Sequence, residues 1–108
     1  MHAAEVFKAL SDPLRLRLIF LLTRQDELCV CHFTEVLVLP QSTISRHLSK
    51  LRHLGLVETR REGKWVHYRL SQEKSAILER LVPLVAELGR TEPQLLKDAE
   101  KLPSSVCR

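Results

Sequence analysis

Between Gly55 and Ser71 the chain changes its hydrophobic period, and this change constrains the fold more than any other feature. On either side, apolar residues recur at helical spacing. Inside, Leu56-Val57-Glu58-Thr59-Arg60 and Trp65-Val66-His67-Tyr68-Arg69-Leu70 are runs rich in β-branched and aromatic residues, set around Arg61-Glu62-Gly63-Lys64. Two such runs about a glycine-containing turn predict a hairpin. The chain is therefore mainly α with a small β-hairpin.

The helical segments are separated by clear punctuation. Ala3, Val6, Phe7 and Leu10 share a face over residues 3–10. Ser11-Asp12-Pro13 ends that helix and starts the next, with Asp12 as cap and Pro13 in the first position, where its missing N–H costs nothing. Leu14, Leu18, Leu21 and Leu22 predict a central, broadly apolar helix over 13–23. A third short helix is expected over 27–38. Leu39-Pro40 interrupts it, since a residue before proline is pushed out of helical geometry. A fourth runs over 41–54 with Ile44, Leu48, Leu51 and Leu54 inward, and Gly55 ends it. Ser71 is expected to cap a last helix over 72–88, kinked at Pro83, with Ile77, Leu78, Leu81, Val82, Leu84, Val85 and Leu88 apolar. Residues 1–90 then form one domain and 91–108 a loose tail with a short helix near 93–101. The apolar faces of 3–10 and 72–88 exceed what one small core needs, which points to a homodimer through them.

Charge is unevenly placed. Residues 42–69 carry Arg46, Lys50, Arg52, Arg60, Arg61, Lys64 and Arg69 against Glu58 and Glu62, a net +5. The flanks, 1–41 and 71–108, net −1 and zero. A basic middle between near-neutral ends is an electrostatic footprint for phosphate, although a solvated face would look similar. The N-terminus lacks the layout of a secretion signal, and no apolar run reaches membrane-spanning length. The expected setting is cytoplasmic, without a membrane partner. The three cysteines are an odd count, which favours free thiols, metal ligands or redox chemistry over a disulfide framework.

Two short helices, a break, and a helix that opens on small polar residues fit a helix-turn-helix, whose second helix enters the major groove. Gln41, Ser42, Thr43, Ser45, Arg46, His47 and Lys50 are the candidate DNA contacts on it. Gln and Arg can read base edges, while Ser and Thr also suit phosphates. The hairpin supplies a wing, with Arg60, Arg61 and Lys64 at its tip for backbone or minor groove. Directly ahead of the reading helix, Cys29 and Cys31 stand one residue apart, and soft thiolates select thiophilic ions. Residues two apart on a regular helix point about 200° away from each other. If both lie on the third helix, binding one ion must unwind its first turn, and ligand and DNA then favour different backbones. Burial as two small apolar residues is the competing explanation. His32 reads as a surface histidine or a nitrogen ligand.

Leu28-Cys29-Val30-Cys31, Thr43-Ile44-Ser45-Arg46-His47-Leu48, Leu51-Arg52, Gly55-Leu56-Val57 and Gly63-Lys64-Trp65-Val66-His67-Tyr68-Arg69-Leu70 resemble, in order and spacing, the ArsR/SmtB family of bacterial winged-helix repressors. The resemblance runs from about residue 4 to residue 88 and is strongest to the arsenic-sensing branch. It implies a dimeric winged helix-turn-helix, not an enzyme. It also implies binding to double-stranded operator DNA of an arsenic-resistance operon, and release when As(III) or Sb(III) binds Cys29 and Cys31. No cofactor is then needed for DNA binding. The branch's Cys-x-Cys-x-x-Cys pattern would place its third cysteine at Thr34, so Cys107 is the candidate third ligand. Residues 72–88 hold no histidine, unlike the zinc-sensing branch. Competing readings are a thiol redox sensor or other soft-metal sensor of the same fold, a constitutive architectural DNA-binding protein, and a small thiol oxidoreductase. The last is disfavoured because there is no Cys-x-x-Cys and no alternating strand–helix pattern.

Overall fold

The computed structural model describes residues 2–73 and 75–102, in the order α1 (Ala3–Leu10), α2 (Pro13–Arg24), β1 (Leu28–Cys29), α3 (Val30–Leu37), α4 (Gln41–His53), β2 (Val57–Glu62), β3 (Trp65–Leu70), α5 (Ala76–Leu88) and α6 (Pro93–Glu100). Helix α2 is the hub. Leu18, Ile19, Phe20, Leu21 and Leu22 are all buried, a consecutive run possible only for a helix covered all round. It touches α1, α4, α5, α6 and β3. Its start is capped as expected: Asp12 Oδ1 accepts from the backbone N–H of Leu14 at 2.9 Å and Arg15 at 3.2 Å. Burial opposes ionisation of Asp12, but these N–H donors and the Arg15 charge outweigh it and hold the carboxyl below its ordinary range.

The three strands form one antiparallel sheet in the order β1-β3-β2. The hairpin closes at Glu62↔Trp65, leaving Gly63 and Lys64 as a two-residue loop. Gly63 takes φ 60° at the first central position, as a type II′ turn requires. The other edge of β3 holds a strand that the sequence does not announce. Leu28 pairs with Tyr68 and Cys29 with His67. This corrects the expected helix over 27–38: Leu28 and Cys29 are extended because the free edge of β3 offers them backbone partners, and α3 begins only at Val30.

Three further differences concern the ends of elements. Helix α5 starts at Ala76, capped by Ser75, whose Oγ accepts from Leu78 N–H at 3.1 Å. Ser71, the expected cap, instead closes a local turn by accepting from Glu73 N–H at 3.2 Å. Helix α3 ends on Val38 with φ 54°, a left-handed conformation unusual for a β-branched residue. Residues 93–100, expected in a loose tail with a short helix, form α6, which docks on α2. Leu95 and Asp98 are buried there. Arg17 holds Asp98 with a two-bonded fork, Nε–Oδ2 at 2.7 Å and Nη2–Oδ1 at 3.0 Å, and Gln94 Nε2 adds a third bond to Oδ1 at 3.0 Å.

Apolar surface is left over where the sequence predicts it. Phe7 on α1 and Leu84 on α5 are 59% and 55% exposed. With Ile77 and Leu81 they border an apolar hollow of about 320 Å³. No helix among the described residues is long and apolar enough to cross a membrane.

Candidate functional site

Helix α4, the expected reading helix, lies against the core through Ile44, Leu48 and Leu51. This leaves Ser42, Arg46 and Lys50, each four residues apart, on one exposed face, with Gln41 exposed at the first turn. Thr43 and Ser45 are half-buried. His47 turns the other way. Its Nδ1 lies 3.4 Å from Arg15 Nη1 on α2. Burial pushes its imidazole below its ordinary value, with Arg15 and Arg46 adding to the effect and Asp12 opposing it. The structure therefore groups Gln41, Ser42, Arg46 and Lys50 and sets His47 apart as a joint between α2 and α4.

At the wing, Arg61 and Lys64 are exposed, and the Lys64 ammonium sits 5.5 Å over the Trp65 ring. Arg60 is committed elsewhere. Its Nε and Nη2 grip both oxygens of Glu27 at 2.7–3.1 Å, and Nη1 meets Glu62 at 3.5 Å. The hydrogen-bonded guanidinium holds the Glu27 carboxyl below its ordinary range. The pair ties the wing to the residues just before the cysteines.

Cys29 is both the last residue of β1 and the N-cap of α3, with φ −88° and ψ 166°, while Cys31 lies in the first helical turn. The extended backbone at Cys29 removes the 200° separation of a regular helix, and the two sulfurs meet as a disulfide, with the Cα atoms 5.4 Å apart. The expectation that a shared ion must unwind α3 is thus corrected: the strand-to-helix junction already turns both thiols to one side. His32 completes the cluster. It is 5% exposed, not a surface residue. Its Nδ1 accepts from Cys29 N–H at 3.4 Å and lies 3.7 Å from Cys29 Sγ, a reciprocal cap across the first turn. The ligand atoms of Cys29, Cys31 and His32 all fall within 4.8 Å of one another. Thr34, at the position of the family pattern's third cysteine, donates its hydroxyl to the Cys31 carbonyl at 2.8 Å. Cys107, the candidate third ligand, lies outside the described residues.

The cysteines open into a cavity of about 400 Å³, also lined by Thr34, Leu39, Gln41, Lys64 and Trp65. The cavity thus joins the thiols to the first residue of the reading helix and to the tip of the wing.

This arrangement agrees with the similarity of the chain to known proteins. The model of the family described as bacterial regulatory protein, arsR family, matches residues 12–59. The chain is 41% identical over 97 residues to the arsenic resistance transcriptional regulator ArsR1 of Pseudomonas putida, covering 88% of this chain and 76% of that protein. It belongs to the arsR family. Members are transcriptional regulators that bind DNA, not enzymes, and the winged helix-turn-helix expected from the sequence is the family fold. A cadmium resistance regulatory protein CadC homolog from Staphylococcus aureus is 42% identical over 73 residues, 68% of this chain and 60% of that one. Among solved structures, reduced HlyU from Vibrio cholerae superposes with a TM-score of 0.69 at 36% identity, over 80% of this chain and 86% of its own. The relatives thus include arsenic and cadmium regulators, so family membership alone leaves the inducer open.

Proposed function

We propose that this arsR-family protein is a repressor of an arsenic-resistance operon, and that As(III) or Sb(III) binding to Cys29 and Cys31 releases it from operator DNA. The observation that carries the reading is the shared cavity. A metalloid held by the two sulfurs occupies a space whose walls include Gln41 of the reading helix and Lys64 of the wing. Filling that space shifts the two DNA-facing elements relative to each other, so DNA and ligand weaken each other's binding. In this reading Arg46 contacts a base edge, and Ser42, Lys50, Arg61 and Lys64 contact the backbone; their exposure supports it. Two copies join through the exposed faces of α1 and α5 around Phe7 and Leu84. The dimer presents two reading helices to half-sites about one DNA turn apart.

The contact between the two sulfurs also favours a second reading, a redox sensor. A peroxide-class oxidant would take two electrons and two protons from the pair, leaving the disulfide in place of the ion site.

One experiment separates these. A binding duplex is selected from a random pool, and release is measured by anisotropy in reducing buffer. As(III) is expected to release the parent protein but neither Cys29→Ser nor Cys31→Ser, both of which keep parental DNA affinity. Release of the double Cys→Ser variant by As(III) would refute the site. Release by peroxide alone, reversed by dithiol, would select the redox reading.

A further inference from the structure

Helices α1, α2 and α4 enclose a second cavity, of about 320 Å³, lined by Lys8 of α1, Arg15 of α2, and Lys50 and His53 of α4. Glu5 is its one carboxylate, so three permanent cations face a single anion. Among the described residues, neither Lys8 nor Lys50 has an ion-pair partner. Arg15 is largely buried and set in place. Its Nε donates to the Ala9 carbonyl at 3.0 Å, Nη1 lies 3.4 Å from His47 Nδ1, and Nη2 lies 3.9 Å from Asp12. A guanidinium carries about five N–H donors, so at least two remain for a ligand. Helix dipoles account for part of this charge. Lys8 lies in the last turn of α1, and Lys50 and His53 in the last turn of α4, where cations are favoured. They do not account for Arg15, in the first turn of α2, where a cation is disfavoured. Nor do they explain why cations from separate helices converge on one space.

We propose that this cavity seats a phosphate of the DNA backbone, a third anchor besides the exposed face of α4 and the wing. The inference rests on DNA binding by that face and adds Lys8, Arg15 and His53 to the contacts. What points to a duplex as the source of the phosphate is Lys50. It shares the exposed face of α4 with Ser42 and Arg46, and it also lines the cavity. Arg46 and Lys50 are one turn apart, about 6 Å along the helix axis, so the cavity continues the DNA-facing surface instead of standing apart from it. Lys8, Lys50 and His53 are exposed at its mouth, open to a ligand that is part of a larger body. Arg15 behind them supplies directed, charge-assisted N–H bonds. The two lysines act as point charges, and the His53 ring adds an N–H donor. Phe7 points about 100° away from Lys8 around α1, into the apolar hollow beside α5, so the dimer face and the phosphate face of α1 are distinct. A contact of this kind fixes how the protein sits on the duplex without reading sequence.

The salt dependence of DNA affinity tests this. The reduced full chain is titrated by anisotropy against the selected duplex and a shuffled one over a range of chloride concentrations. Lys8→Gln is expected to weaken both duplexes alike and to reduce the slope of log affinity against log salt by about 0.9. Glu5→Gln, which removes the cavity's carboxylate, is expected to tighten both. Lys97→Gln removes the same charge as Lys8→Gln from an exposed position on α6 and is expected to keep the parental slope. A parental slope for Lys8→Gln, an equal drop for Lys97→Gln, or weaker or unchanged binding by Glu5→Gln overturns the proposal. Inorganic phosphate added to the DNA-free chain, followed by amide NMR shifts, separates the two sources of the anion. Saturable binding that Lys8→Gln abolishes, together with a parental salt slope, would assign the cavity to a free anion and overturn the duplex as its occupant. None of these results depends on As(III). Failure of the repressor reading would show separately, as As(III)-driven release that survives loss of both cysteines.

Discussion

Two arginine–carboxylate forks tie distant parts of this chain, and their surroundings differ. Arg17 and Asp98 join α2 to α6, and the carboxylate is fully buried with a third bond from Gln94. Arg60 and Glu27 join the wing to the residues before β1, with both side chains partly in water. The geometry is nearly the same, but the consequences of breaking it are not. A buried carboxylate that loses its partner keeps the full cost of leaving water. A carboxylate at the surface is rehydrated, and most of its loss is returned. The first fork therefore holds the body of the protein together. The second links two parts that the proposed mechanism needs to move.

The sharpest way to break the comparison is Arg17→Ala. It strands Asp98, and the expected cost is about 3–5 kcal/mol of unfolding free energy in a urea titration. A loss below about 1 kcal/mol would mean that Asp98 finds water or protonates, and that the two forks are alike.

A smaller effect is expected at the turn between α3 and α4. Val38 is 75% exposed with φ 54°, so its replacement gives up little packing. The left-handed backbone costs an L-residue about 1–2 kcal/mol, part of which glycine's extra unfolded freedom takes back. Val38→Gly should raise stability by up to about 1 kcal/mol. A destabilisation of that size would show that the valine side chain carries packing the strain argument neglects.

The smallest effect on stability is expected from Glu27→Gln, which should leave the melting temperature close to that of the parent. Its signature lies in DNA binding. Freed from Glu27, Arg60 can meet phosphate, and the slope of log affinity against log salt should steepen by about one. An unchanged slope would keep Arg60 out of the interface. Acid gives the same comparison without mutation. The Glu27 carboxyl is held below its ordinary value, so whatever stability its pair contributes is present above that value and is lost as pH falls through the lowered one. Glu27→Gln should flatten that part of the acid limb.

Much of this fold was legible because it is encoded locally. The Asp12–Pro13 start of α2, the stop before Pro40, the span of α4 and the hairpin about Gly63 each depend on a few adjacent residues. What escaped depends on remote partners. Strand β1 is two residues long, too short for any period, and it exists because β3, nearly forty residues later, has an open edge. The burial of Asp98 depends on Arg17, 81 residues earlier in the chain, so no local signal marks it. At the site, the Cys-x-Cys pair was visible in the sequence, and so was the span of α4, whereas the expected contacts Thr43, Ser45 and His47 fall outside its exposed face. The convergence of the thiols was not visible, because it needs Cys29 to be extended, and that conformation is set by β1. His32 was missed as a buried residue for the same reason: its burial follows from the cap it shares with Cys29. The spacing Cys29…His32, a capping-box interval, was the signal that could have found it.

The strand order β1-β3-β2 has one more consequence. Strand β3 is paired along its whole length by β2 but only at His67 and Tyr68 by the two-residue β1, so β2 carries the longest uninterrupted edge of the sheet. A bare flank of this kind is a template on which another chain can add itself, and natural sheets discourage this with charge. Strand β2 ends in Arg60, Arg61 and Glu62, all exposed. Copies brought together at high concentration would have to bury or neutralise these groups before their backbones could pair. The wing's charges thus also guard against runaway strand-by-strand assembly.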